Sequence, residues 1–304
     1  MNAQLRTEWL DQRRRGIGGS DVAAILGLSP YRTPLDVYND KLGRAPETAD
    51  NDAMYWGRAL EPVIRQRYSD VTGRDVLLPE DMLVHPKHGF MLANLDGFTA
   101  DRRVFEAKTA RTGNGWGEPG SDEVPDAYAL QVQHYLAVTG FEVADIAVLI
   151  GGSDFRLYHV EADASMQADL IDAEAEFWQR VLTGNEPEPV TFAEAQQRFG
   201  RSGANGVVQA GELATQAAHD LALIKAQIKA LEEHEEAAKA VLMRALGDSG
   251  DTLMRDGKTL ATWKLAKAPE RFDTAAFKSA HPALAAEFTR PGNPYRRLLL
   301  KDIA

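Results

Sequence analysis

The 304-residue chain contains no cysteine, which excludes a disulfide framework and any thiolate metal site. It also lacks an apolar run of about eighteen residues, so no segment reads as a membrane span. The opening MNAQLRTEWLDQRRR has no apolar signal core and reads as a polar helix over residues 2–14. These absences fit a reducing cytosol, and a cytoplasmic protein with no membrane contact is expected. Basic charge is in short supply too: 34 Lys and Arg stand against 45 Asp and Glu, a net −11. That balance argues at first against a nucleic-acid partner, but it is unevenly spread. Residues 205–304 carry 14 basic and 13 acidic groups, so the acidity lies in residues 1–204. Catalysis by bound metal needs carboxylates, and local basic groups can still hold phosphates on an acidic protein.

What is present is a globular composition, 44% hydrophobic and 26% charged, in a chain long enough for one large domain or two. GIGGS breaks the chain after the first helix, and Ser20 is placed to cap a short helix DVAAILG. Thr33-Pro34 opens another through Lys41, and residues 44–51 form a polar loop. A helix over 52–71 carries Trp56, Leu60, Ile64 and Tyr68 on one stripe, with Gly73 behind it. Pro62 inside that pattern predicts a kink or a start nearer Leu60. Strands are expected at 75–78, 82–85, 90–99 and 103–109, followed by a helix over 125–139. Strands at 144–150 and 154–161 and a helix over 164–183 come next. This is an α/β domain with a mixed central sheet flanked by helices, ending near EPEPVT at 186–191.

Residues 209–247 form a charged helical arm with Leu221, Leu223, Ile224, Ile228, Leu231, Ala238, Val241, Leu242 and Leu246, whose spacing suggests an amphipathic helix or coiled-coil arm. Asp256-Gly257 then predicts a hairpin turn. Two short helices and a final strand, YRRLLLK, complete a small α+β module.

The chemistry concentrates in ANLDGFTADRRVFEAKTA, residues 93–110. A turn on Ala100-Asp101-Arg102 sets Asp96 opposite Glu106, with Cβ atoms about 5 Å apart. Two carboxylates at that separation can share one hard cation. Alternation puts Lys108 on the face of Glu106, and Phe105 and Ala107 on the other. Magnesium held there would polarise a phosphodiester and acidify a bound water. Lys108 would orient that water and stabilise developing charge. An exposed hairpin with an ordinary Glu–Lys pair has the same spacing.

An acid at the end of one strand and E-x-K on the next resembles the core of the PD-(D/E)XK nuclease superfamily. Downstream, ALQVQHYLAVTG puts Gln131 and Tyr135 one helical turn apart, and upstream YWGRALEPVIRQRY offers Glu61. With EWLDQRRRGIGGSDVAAILG before them, four motifs over residues 8–160 resemble the YqaJ-type viral recombinase family, which includes lambda exonuclease. The resemblance implies a restriction-endonuclease-like core over 1–195 and leaves 205–304 as an accessory module outside it.

It further implies that Asp96, Glu106 and the Ala107 carbonyl hold Mg2+, with Mn2+ able to substitute. Lys108 would be the catalytic lysine, Gln131 would position it or the water, and Tyr128 and Tyr135 would support them. Glu61 matches the acidic position of W-G-x-x-x-E and would bind a second metal, or is a solvated surface carboxylate. Arg13, Ser20 and Gly19 match a pocket for a 5′-terminal phosphate, with Arg14 and Arg15 as competitors for Arg13. The residue types suit that task independently, because a glycine-rich turn entering a helix presents N–H groups and arginine a planar fork to an anion. His85 and His88 could approach the metal, or are solvated loop residues. Trp116 could stack on a separated base, or is core like Trp56 and Trp178.

The expected function is 5′ to 3′ degradation of linear double-stranded DNA, leaving 3′ single strands for phage-type recombination. The same resemblance implies a ring-shaped homo-oligomer and a single-strand-annealing protein as partner, in a phage- or prophage-encoded protein of a bacterial cell. Two alternatives stay open: an endonuclease on the same core, and a non-catalytic scaffold that recruits partners through the helical arm.

Overall fold

The computed structural model of the protein describes residues 10–45, 51–203, 205–290, 292 and 295–301. Most of the expected helix 2–14 and residues 46–50 of the polar loop lie outside them; residues 10–13 are helical. The chain divides into two units, Met1–Val190 and Thr191–Ala304, with the boundary inside EPEPVT.

The first unit begins with β1 (Ile17–Gly18) and α1 (Gly19–Ile25). Ser20, expected to cap this helix, is instead its second residue. Gly18 occupies the cap, and its N–H donates to Asp21 Oδ2 at 3.2 Å. The Asp21 carboxylate, three residues on, thus satisfies the N–H of the cap residue itself, and the glycine there brings no side-chain acceptor for the first turn. In α2 (Pro34–Lys41) Thr33 and Asp36 form the reciprocal capping box, with Pro34 at the first position. The third helix, α3 (Asp52–Thr72), starts well before Leu60 and carries Pro62 within it. Asn51 accepts from Met54 N at 3.0 Å, which stabilises the earlier start.

β2 (Val76–Leu77) and β3 (Leu83–Val84) follow. The single strand expected over 90–99 is two, β4 (Met91–Ala93) and β5 (Gly97–Thr99), divided at residues 94–96. They belong to different sheets: β4 lies between β1 and β3, and β5 lies beside β6 (Arg103–Ala110). The main sheet has the order β2-β5-β6-β7-β8, with β7 (Val143–Ile150) and β8 (Asp154–Glu161). β6 and β7 are parallel and the other pairs antiparallel, giving the mixed sheet the sequence predicts. Parallel neighbours need a crossover, and α4 (Asp126–Thr139) lies between them in the chain.

Alternation along β6 and β7 divides the core by face. Val104, Ile146 and Val148 join Val132 and Leu136 of α4, while Phe105 and Ala147 join Ile64 and Tyr68 of α3. Burying each large side chain contributes about 1.5–3 kcal/mol. Trp116 belongs to the first face, its ring tilted against Tyr128 at 5.5 Å and Tyr158 at 5.1 Å, and is core. Trp178 is half-buried against a further cluster around Tyr38 and Phe177. Trp56 is 56% exposed and leaves the core stripe to Leu60, Ile64 and Tyr68.

On α5 (Ala164–Thr183) the buried stripe is Leu170, Glu174, Phe177 and Val181. Glu174 interrupts it because it faces His134 of α4, whose Nδ1 lies 2.8 Å from Glu174 Oε1. His134 Nε2 lies 2.9 Å from the Leu92 carbonyl. Both ring nitrogens thus face acceptors, the arrangement an imidazolium satisfies.

In the second unit, α6 (Phe192–Phe199) precedes the 35-residue α7 (Glu212–Leu246). β9 (Thr252–Arg255) and β10 (Lys258–Thr262) then form the predicted hairpin. Asp256 and Gly257 have φ of 50° and 76°, the left-handed pair a two-residue turn of this hand requires. Two short helices follow, α8 (Thr274–Ala280) and α9 (Pro282–Phe288). YRRLLLK is not a strand. The Arg296 carbonyl accepts from Gln196 Nε2 and its N–H donates to the Gly200 carbonyl, so contacts with the end of α6 replace a ladder.

The His134–Glu174 pair makes a pH prediction. Burial lowers the pKa of His134, but the Glu174 carboxylate and its hydrogen bond raise it by more. A raised histidine pKa contributes stability below about pH 6.5 that is lost as pH rises through the folded-state value. Denaturant unfolding should therefore find wild type more favoured over Glu174→Gln at pH 6 than at pH 9. A gap that is constant or grows with pH would show that the pair is not ionised.

Candidate active site

The site forms where the chain leaves one sheet and enters another. β5 and β6 pair with Gly97 opposite Phe105 and Phe98 opposite Val104. The next step in that register would set Asp96 level with Glu106, as the sequence predicts, but the ladder ends at Gly97. Asp96 is therefore held by its side chain: Oδ2 accepts from Ala107 N at 2.9 Å. Burial raises the pKa of Asp96, outweighing that N–H and the charge of Lys108.

Glu106 is 3% exposed. Its Oε1 accepts from Lys108 Nζ at 2.6 Å and from Gln131 Nε2 at 2.7 Å. Its Oε2 is buried with no hydrogen-bond partner. Burial, then the neighbouring Asp96 charge, push Glu106 up to about 8. Burial works against the Lys108 ammonium, but Glu106 and Asp96 raise its pKa by more. Gln131 closes the network, with its Oε1 accepting from Lys108 at 3.0 Å and its Nε2 donating to the Tyr135 hydroxyl at 3.0 Å. Lys108 Nζ lies 4.7 Å over the Tyr128 ring, a cation–π contact. The five predicted residues Asp96, Glu106, Lys108, Gln131 and Tyr135 thus meet in one cluster, with Tyr128 beneath the lysine.

Glu61 on α3 is half-buried and electrostatically coupled to Asp96 and Lys108. Burial, then the Asp96 charge, raise its pKa, and Arg65 Nη2 lies 3.7 Å from it. This is not a freely solvated carboxylate. Among the described residues no three Asp, Glu or His side chains form a complete metal-ligand set. Two carboxylates suffice for magnesium, which is commonly held by one or two of them with waters and substrate phosphates. The unpartnered Glu106 Oε2 beside Asp96 is the donor atom such a cation would satisfy.

A cavity of about 140 Å³ adjoins this cluster, lined by Arg13, Gly18, Gly19, Ser20, Asn94, Asp96 and Tyr135, among others. Arg13 Nη2 donates to Ser20 Oγ at 3.2 Å, whereas Arg14 pairs with Asp11 at 3.1 Å and Arg15 is exposed. Behind Ser20, the fully buried Asp21 accepts from Lys41 Nζ at 2.6 Å and Arg32 Nη1 at 2.8 Å, with Arg13 at 3.7 Å. Burial opposes the Asp21 charge, but these three cations hold its pKa far below the usual carboxylate range.

Asp21, Arg32, Lys41 and Arg65 escaped the sequence reading. The usable signal for Asp21 was its place in GGSD, immediately after Ser20. Lys41 closes a helix that otherwise buries Leu35, Val37 and Tyr38. His85 and His88 are not brought to the cluster. His85 Nδ1 accepts from the N–H groups of Lys87 and His88, each at 3.0 Å, and so holds a turn.

An acid at a strand start and E-x-K on the next strand of a mixed α/β sheet, backed by a glutamine on the crossover helix, define the PD-(D/E)XK class of fold and site. Residues 8–142 match the YqaJ-like viral recombinase domain. The protein YqaJ of Bacillus subtilis is 31% identical over 308 residues, covering 98% of this chain and 95% of that protein. The chain belongs to the YqaJ-like viral recombinase family. Protein D345L of African swine fever virus is 29% identical over 116 residues, 35% of this chain and 33% of its own. Among solved structures, an alkaline exonuclease from Laribacter hongkongensis is 23% identical with a TM-score of 0.48, covering 59% of this chain and 93% of its own. A phage-related exonuclease from Haemophilus somnus is 10% identical with a TM-score of 0.42, covering 56% and 96%.

Gly19 ties the cavity to the cluster through packing. A Cβ there would lie 2.6 Å from Tyr135 Cε1 and 3.0 Å from the Gln131 carbonyl, so α1 touches α4 only because this residue has none. Gly19→Ala should destabilise by about 1–3 kcal/mol. Denaturant unfolding measures that cost, and an unchanged midpoint would mean α1 does not pack this closely.

Proposed function

We propose that the protein is a magnesium-dependent exonuclease that degrades duplex DNA from a 5′ end. The carrying observation is that Arg13 and Ser20 line the same cavity as Asp96 of the carboxylate–lysine cluster. A group that binds anions and a group that hydrolyses phosphodiesters in one cavity suit an enzyme that reads a chain end and cuts near it. The exonucleases named among the similar structures point the same way.

Asp96, Glu106 and the Ala107 carbonyl would hold the cation, and Glu61 a second one. Bound magnesium supplies Lewis-acid polarisation of the phosphate and a lower pKa for a coordinated water. The remaining work belongs to the chain. Lys108, fixed by Glu106, Gln131 and the Tyr128 ring, orients the attacking water and stabilises charge on the phosphoryl oxygens. Gln131 bridges Glu106, Lys108 and Tyr135, so it holds the lysine in position. Arg13 and Ser20 grip the terminal phosphate, which carries nearly two charges against one on an internal diester. Mn2+ would substitute for Mg2+. Family membership supports a recombination role, a ring of copies around the duplex and a single-strand-annealing partner in the bacterial cytoplasm. No described helix is long and apolar enough to cross a membrane.

Glu106→Gln keeps the size of the side chain and removes its charge. It should lower magnesium-dependent cleavage by roughly a thousandfold or more while DNA binding survives. Near-normal turnover would contradict the assignment. End recognition has a separate test. Wild type should degrade 5′-phosphorylated linear duplex roughly ten to a hundred times faster than 5′-hydroxyl duplex, and Arg13→Ala should remove most of that difference. Covalently closed circles should resist cleavage. Equal rates on both ends, with circles cut, would instead identify an endonuclease.

A further inference from the structure

We infer that α7 is a self-association surface on which two copies of this chain pair antiparallel. The helix presents apolar side chains to solvent over most of its length: Ile224 is 50% exposed, Ile228 49%, Leu231 66% and Leu242 39%. Its one fully buried residue is Leu246, at the hairpin end. Leu221, Ile228 and Leu242 with Ala217, Ile224, Leu231 and Ala238 repeat at the three-and-four spacing of a coiled-coil seam.

The occupant follows from size and charge along that seam. In an antiparallel pair centred between residues 229 and 230, Ile228 of one copy meets Leu231 of the other. Leu221 meets Ala238 and Leu242 meets Ala217, so the two central layers pair large aliphatic side chains and these flanking layers set a leucine against an alanine. Lys225 flanks Glu232 of the second copy, and symmetry repeats that ion pair. The centre coincides with the middle of α7, which spans residues 212–246, so the two helices overlap along their full length. A parallel pair would stack Ala217 on Ala217 and Ala238 on Ala238, leaving voids. It would also set Glu235 against Glu235 inside the seam, where like charges oppose each other. Glu235 in the antiparallel pair faces Ile224 and keeps its own-helix partner Lys239, 2.9 Å away. The second copy is thus the partner whose shape and charge the surface matches.

The absence of cysteine makes the test direct. Full-length Lys225→Cys and Glu232→Cys chains are purified separately, oxidised alone and in equal mixture, and run on non-reducing gels. A disulfide-linked dimer in the mixture, with neither variant cross-linking alone, is the expected result. Cross-linking of Lys225→Cys with itself would indicate a parallel pair and overturn the proposal, as would no dimer in the mixture. A second measurement reads the native interface by sedimentation. Lys225→Glu should weaken self-association about tenfold, and Lys225→Glu/Glu232→Lys should restore it. Equal weakening in the single and double variants would also overturn it. Binding of α7 to a different protein, with no self-association of the chain, is the outcome that assigns the surface elsewhere.

Discussion

A carboxylate buried at 3% exposure is the constraint around which the first unit is organised. Removing an ion from water costs several kcal/mol even after the surroundings relax. Glu106 recovers part of that through Lys108 and Gln131, yet Oε2 stays unpartnered and the pKa rises to about 8. Much of the fold serves this residue. The β5–β6 hairpin fixes it in register, α4 delivers Gln131 and Tyr135, and the break at residues 94–96 turns Asp96 toward it. A site left with one buried carboxyl oxygen unpartnered is incomplete as a purely structural element, and a hard cation, which favours the ionised carboxylate, would complete it.

The same economy governs the neighbouring cavity. Asp21 concentrates Lys41, Arg32 and Arg13 around one buried charge, and that fixes the cationic wall behind Ser20. Lys41 is buried with it, so its positive charge serves the wall's framework and Arg13 is the cation that lines the cavity. Two buried carboxylates thus do different jobs. Asp21 has cations enough to stay ionised, whereas Glu106 does not.

Much of this was legible in the sequence because it followed local rules. Alternation in RVFEAKTA placed Glu106 and Lys108 on one face and Phe105 on the other. Thr33-Pro34 and Asp256-Gly257 marked a helix start and a hairpin turn through their own stereochemistry. The misreadings came from tertiary context. Nothing in residues 90–99 indicates that Met91–Ala93 and Gly97–Thr99 pair with different neighbours, because both halves have strand character. Ser20 is of a residue type that caps helices, but this helix starts a residue earlier, at Gly19, with Gly18 as its cap. Trp56 lay on the apolar stripe of α3 and is exposed. YRRLLLK has the composition of a strand but binds the end of α6 through isolated hydrogen bonds. Lys41, Arg32 and Arg65 are ordinary helix or loop cations in sequence, and only the fold shows which carboxylates they meet.

The central claim is that Asp96 and the unpartnered oxygen of Glu106 form a divalent-cation site. Titration of Mn2+ followed by the loss of its free electron-paramagnetic-resonance signal measures that site without requiring turnover. Wild type should show saturable binding that Glu106→Gln weakens by roughly tenfold or more. Equal Mn2+ affinity in the two proteins, or no binding in wild type with or without duplex DNA, would contradict it.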